Sequence, residues 1–135
     1  MDTVSGEKRS WIMSRIKGKD TQPELVVRRF VFSLGLRYRL HSPRLPGKPD
    51  MALVQFKKAI FINGCFWHGH HGCADFRLPK TNTPYWHAKI ERNRERDSRN
   101  VRALRRAGWK TLVVWECELS DPMKAVQKLV RFVSA

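Results

Sequence analysis

Cys65, Cys73 and Cys117, together with the neighbouring histidines His70 and His71, are the residues whose spacing most directly implies chemistry. An odd set of 3 cysteines cannot pair off completely as disulfides, and cysteine beside histidine points to a metal before a disulfide. Cys65, His70 and Cys73 offer three donors from one short segment, and the distant Cys117 can close a tetrahedron. Four protein donors leave no open coordination position, so the expected ion is a structural zinc. It would staple the stretch from residue 63 to 82, which is rich in Gly, His, Cys and Pro and has no core of its own. Structural zinc contributes on the order of 10 kcal/mol to such a fold. His71 stands as an alternative to His70, and buried thiols with surface histidines are the competing explanation.

A second set of polar residues is more dispersed. Asp50 opens a short apolar run after Leu45-Pro46-Gly47-Lys48-Pro49, and Phe61-Ile62-Asn63 ends the next run. A carboxylate at a strand start facing a second strand suits a magnesium ion, which takes oxygen donors and keeps water and phosphate in its shell. The same aspartate also suits the capping of a turn. Trp86, Ile90, Asn93, Asp97, Val101 and Leu104 recur on one face of a helical period, so two polar residues interrupt an apolar stripe. Asp97 there needs a partner, either a basic side chain or a histidine that it orients. His68, between Trp67 and Gly69 in the zinc segment, fits the second role as a general base, but also fits a solvated or zinc-bound histidine. Phe66, Trp67 and Trp86 are large aromatics suited either to a core or to insertion between base steps.

These residues need elements to hold them. A first helix is expected from Thr21, with Thr21-Gln22-Pro23-Glu24 as a capping box and Leu25, Val27, Val31 and Leu34 on its inner face. Leu36 to Leu40 alternate as a strand, and His41 to Pro49 make a proline-rich loop. Residues 50–54 and 58–62 form a hairpin. A long helix is capped by Thr83-Pro84 and runs to Ala107. Trp109 to Trp115 is a strand, and a last helix from Ser120-Asp121-Pro122 turns Met123, Val126, Leu129, Val130 and Val133 inward. The order α-β-β-β-α-β-α predicts an α/β fold with a mixed sheet flanked by helices.

The chain has 135 residues and 41% hydrophobic content, enough for a domain with a real core, expected over residues 21–135 behind an arm of residues 1–20. No apolar run reaches a membrane span and no signal peptide stands at the start, so a cytoplasmic protein without membrane contact is expected. The 27 Lys and Arg exceed the 12 Asp and Glu, a formal charge of +15. Residues 77–110 alone hold eleven basic and three acidic side chains, and residues 28–48 hold six more basic ones. Charge spread through the fold in this way points to nucleic acid rather than to a membrane surface.

With these residues in view, the chain resembles the very-short-patch repair endonucleases, bacterial T:G mismatch nicking enzymes of the restriction-endonuclease-like PD-(D/E)xK superfamily. The likeness runs through Asp20-Thr21 and Glu24, Leu45 to Asp50, Phe61 to His70, Trp86 with Lys89, Ile90 and Asn93, Glu95 to Asp97, Gly108-Trp109 and Val114 to Cys117. It implies that Asp50 binds magnesium with the backbone carbonyl of Ile62, that His68 is a general base oriented by Asp97, and that Glu24 holds water of the metal shell. Cys65, His70, Cys73 and Cys117 would hold zinc. Phe66, Trp67 and Trp86 would enter the duplex beside the mismatch, supported by Lys89 and Asn93, with Met13 and the arm in the opposite groove. The product would be a nick 5′ of the mismatched thymine, bearing a 5′-phosphate. Asn63 stands where better-known members of that family carry histidine; it hydrogen-bonds a phosphate or water but donates no full proton.

The resemblance further implies a bacterial protein working at the nucleoid on mismatched double-stranded DNA, alongside mismatch-repair proteins, and a monomer is expected because one mismatch has no two-fold symmetry. The related alternative is a nuclease with a broader mismatch range or another sequence specificity. The rival of another class is a zinc-stabilised DNA-binding protein without catalysis, and Asp50 discriminates against it, because phosphate binding gains nothing from a carboxylate.

Overall fold

In the computed structural model, which describes residues 22–74 and 76–135, the alternating apolar runs form a four-stranded mixed sheet. Helix α1 spans Gln22–Ser33, and β1 is the short strand Arg39–Leu40. Strands β2 (Met51–Leu53) and β3 (Lys58–Asn63) follow as a hairpin, then the long helix α2 (Thr83–Arg106), β4 (Lys110–Trp115) and α3 (Pro122–Ser134). Spatial order is β1-β2-β3-β4, antiparallel except for the β3–β4 pair. A parallel pair requires a crossover, and α2 with its preceding loop supplies it. The α-β-β-β-α-β-α order and the mixed α/β fold are those expected from the sequence.

Strand alternation divides the sheet into two faces. Met51, Leu53, Ile60 and Val114 point one way and pack with Val27 and Val31 of α1 and Leu129 of α3 in a single buried cluster. Ala52 and Ala59, both fully buried, belong to the opposite face with Phe61 and Val113, and the latter two share the wall of a cleft with Val101 of α2. Small side chains there let α2 lie close. The hairpin closes through a 3-10 turn at Val54–Phe56 and Lys57 in the left-handed region, φ 53°.

Several local expectations shift. Met123 and Val130 are 68% and 38% exposed, because α3 buries Ala125 and Leu129 and the inward stripe is narrower than the apolar one. Leu34 is likewise exposed, at 42%, since it follows the last turn of α1. The strand expected from Leu36 shrinks to two residues. Asn82 rather than Thr83 occupies the cap of α2, and the Thr83 hydroxyl instead donates back to the carbonyls of Pro79 and Lys80. Thr21 and the arm of residues 1–20, Met13 included, lie outside the described residues.

Candidate active site and metal centres

Strand β3 outruns its hairpin partner, and that mismatch builds the first site. Pairing of β2 with β3 ends at Met51 opposite Ile60, so the Ile62 amide has no strand partner on that side. The Asp50 carboxylate takes the place of a strand: Ile62 N–H donates to its Oδ2 at 2.6 Å. Oδ1 remains for other work. Glu24, buried in the inner face of α1, and His41, at the start of the proline-rich loop, converge on the same point. One donor atom from each of Glu24, His41 and Asp50 falls within 4.8 Å of the others. His41 Nε2 lies 2.9 Å from Glu24 Oε2, and His41 Nδ1 lies 3.7 Å from Asp50 Oδ1. The Arg28 guanidinium also donates to Glu24. Burial, with the Glu24 charge beside it, pushes Asp50 up to about 6 against the pull of the Ile62 amide. Two carboxylates and an imidazole packed this closely suit a hard divalent cation, which would restore the ionised form of Asp50.

His68 reaches the same cleft from the other side. The loop after β3 turns tightly, with His68 N–H donating to the Gly64 carbonyl and His70 N–H to that of Cys65. His68 Nδ1 then meets Asp97 Oδ2 of α2 at 2.6 Å. A carboxylate only accepts, so Nδ1 carries the hydrogen and Nε2 keeps its lone pair. Asp50, Ile62, Asn63, His68 and Asp97 all line one open cleft of about 690 Å³, bordered by the basic side chains Lys48 and Arg96. Asn63 is 93% buried there, with only 7% exposure.

Gly69 explains why this loop lies where it does. Its φ is +58°, and a Cβ there would meet Arg94 Nε and Ile90 Cγ2 of α2 at 2.5 Å. Arg94 Nε donates to the Gly69 carbonyl and Asn93 Nδ2 to the Trp67 carbonyl, both at 2.8 Å. The two polar positions of the α2 stripe therefore grip the loop and its histidine. Asn93 also accepts from Arg96, so its amide is engaged at both ends within the protein.

The expected zinc set assembles. Donor atoms of Cys65, His70, Cys73 and Cys117 lie within 4.8 Å of one another, joining the loop to the turn that follows β4. His70 Nδ1 is 3.4 Å from Cys117 Sγ. A tetrahedral zinc with ordinary bond lengths separates such a pair by roughly 3.6 Å, so the donors fit that ion. His70 stacks on Trp115 at 4.0 Å and 7°, which fixes its ring, whereas His71 is exposed and outside the set. Burial pushes the Cys65 thiol up to about 12 and raises Cys117 as well, so without an ion these two thiols hold their protons. Metal binding would release them.

Phe66, Trp67 and Trp86 form neither a core nor isolated spikes. Their centroids lie 5.1 to 5.9 Å apart in edge-on contacts at the start of α2, half-buried and outside the main core. Lys89 Nζ sits over both tryptophans, 5.9 and 5.8 Å from their centroids. His41 is the site residue that sequence reasoning missed. A lone histidine beside a proline-rich loop carries no spacing signal; its left-handed backbone, φ 48°, and its neighbours appear only on folding.

Among the described residues no helix is long and apolar enough to cross a membrane. Residues 1–75 match the family model of the DNA mismatch endonuclease Vsr. The type II nicking enzyme V.XorIIP of Xanthomonas oryzae is 48% identical over 120 residues, covering 89% of this chain and 88% of that one. V.NmeAIP of Neisseria meningitidis, also a type II nicking enzyme, is 45% identical over 98% of this chain and 94% of its own. The DNA mismatch endonuclease Vsr of Escherichia coli is 41% identical over 82% of this chain and 70% of its own. On a family match over residues 1–75 and relatives 41 to 48% identical over 82 to 98% of its length, the chain belongs to the Vsr family of DNA mismatch endonucleases.

Proposed function

We propose that this endonuclease nicks one strand of duplex DNA 5′ of the thymine in a T:G mismatch, using Mg2+ at Asp50. The observation that carries the proposal is the shared cleft of Asp50 and His68, with His68 held by Asp97 at 2.6 Å. Asp50 Oδ1 and the Ile62 carbonyl would hold the cation. N–H and C=O of one residue in an extended strand project to the same edge, and the Ile62 N–H already faces Asp50. When bound, the cation neutralises charge developing on the phosphate. His68 Nε2 takes a proton from the attacking water, and Asp97 stabilises the imidazolium that results. The water oxygen bonds to phosphorus as the bond to the 3′ oxygen breaks, and that oxygen takes a proton from solvent, giving a 3′-hydroxyl and a 5′-phosphate. Glu24 orients water at the site, and Asn63 hydrogen-bonds it or a phosphate oxygen.

Phe66, Trp67 and Trp86 enter the stack beside the mismatch, where unstacking is least costly. Lys89 and Asn93 hold the aromatic wall, and Cys65, His70, Cys73 and Cys117 hold a structural Zn2+. One mismatch has no two-fold axis, so a monomer suffices; mismatch-repair proteins would act downstream of the nick. The test is a nicking assay on two duplexes differing only in T:G against T:A, with Mg2+ or with chelator. A single nick 5′ of the thymine, in the T:G duplex with Mg2+ alone, is expected. Equal cutting of both duplexes would favour a nuclease of other specificity, and binding without cutting would favour a non-catalytic DNA-binding protein.

A further inference from the structure

His41 has no role in the reaction as described, yet its two ring nitrogens face two carboxylates. Nε2 lies 2.9 Å from Glu24 Oε2. A carboxylate oxygen only accepts, so at that distance Nε2 carries the hydrogen. The Arg28 guanidinium, 3.2 Å from the same nitrogen, has no lone pair to offer and directs its own donor to Glu24. Nδ1 faces Asp50 Oδ1, 3.7 Å away and too far for a hydrogen bond, and in the neutral ring that a metal requires it presents its lone pair there. Two electron-rich atoms face each other with room for an ion between them. Bonds of roughly 2.1 Å set adjacent donors of one octahedral ion roughly 3.0 Å apart, so the two side chains need to close by less than about 1 Å to become neighbouring ligands.

The surroundings favour the same use. A metal-bound histidine characteristically donates its other N–H to a carboxylate, which fixes ring and tautomer, and Glu24 is placed to accept. His41 holds φ 48°, in the left-handed region, and its ring meets Glu24 of α1. Its side chain remains 21% exposed, beside an Asp50 that is 17% exposed, and both line the cleft. We infer that His41 Nδ1 is a direct ligand of the catalytic cation, with Glu24 as the carboxylate that orients it. The inference rests on the reading of Asp50 as the cation site. An imidazole nitrogen in an otherwise all-oxygen site shifts its preference from Mg2+ toward first-row transition ions. Glu24 thereby serves the ion through His41 as well as through water.

Electron paramagnetic resonance of Mn2+ titrated into the zinc-loaded protein tests this. The bound Mn2+ should show a nitrogen coupling that changes when the wild-type protein is made with 15N-histidine, a readout that needs no variant. His41→Asn, which tolerates the left-handed backbone, should lose that coupling and weaken Mn2+ about tenfold, with a smaller loss for Mg2+. His68→Ala should keep the coupling. Mn2+ that depends on Asp50 but shows no histidine coupling, or a coupling that survives in His41→Asn, overturns the inference and leaves the Asp50 site standing. Unchanged Mn2+ binding by Asp50→Asn overturns the Asp50 reading itself, and this inference with it.

Discussion

Asp50 is the residue on which most of the chemistry turns, and its environment makes two measurable demands. Burial and Glu24 raise it from 3.8 to about 6 in the ion-free protein. The folded state thus binds its proton more tightly than the unfolded chain does. The stability from that proton is complete below pH 3.8 and is lost as pH rises through about 6. At neutral pH the ion-free protein carries a cost of roughly 3 kcal/mol at this one group, which Asp50→Asn should relieve, raising Tm while abolishing cation binding in the cleft. In the wild type, cation affinity should drop about tenfold per pH unit below about 6, as calorimetric titration would read. With His68 as the proposed general base, His68→Ala should slow nicking by about 10² to 10⁴ with little change in DNA affinity. A His68→Ala enzyme of wild-type rate would remove the general base from the account.

At the scale of elements, the loop between β3 and α2 is held from both ends. A metal on Cys65, His70 and Cys73 would tie it to Cys117 beyond β4, and Gly69 lets it lie against α2. Gly69→Ala would force a Cβ to 2.5 Å from Ile90 and Arg94 in a left-handed backbone, and should cost about 1–3 kcal/mol, read as a lower Tm. Cys117→Ser should release about one zinc per chain and cost more than the glycine change; a variant that keeps its zinc and its Tm would refute the structural site. These contacts also show what sequence could and could not reveal. Cys65, His70 and Cys73 were legible because their donors are close in the chain, and Asp97 because helical periodicity put a carboxylate inside an apolar stripe. Its histidine partner was the candidate because the zinc segment fixes directions. His41 was not legible, because nothing links residue 41 to Glu24 or Asp50 until α1 packs on the sheet. Met123 and Val130 misled for a related reason: α3 has more apolar faces than the core can cover, and only packing chooses among them.

Across the whole molecule, the net charge of +15 and the basic rim of the cleft set how DNA is approached. DNA binding should weaken steeply with salt, and Arg96→Ala should lower the slope of log affinity against log salt by about one, uniformly over matched and mismatched duplexes. If, as proposed, the aromatic cluster enters the base stack and the basic rim faces phosphates, Trp67→Ala should instead reduce discrimination between T:G and T:A duplexes. The central claim is that Asp50 and His68, brought to one cleft by two separate elements, act on the same phosphodiester. The most direct measurement is the single-turnover nicking rate of the wild type, Asp50→Asn, His68→Ala and the double variant on one T:G duplex. Groups that act as a unit lose their effect together, so the double variant should be about as slow as the slower single one. Losses that multiply in the double variant would show two independent contributions and contradict the claim.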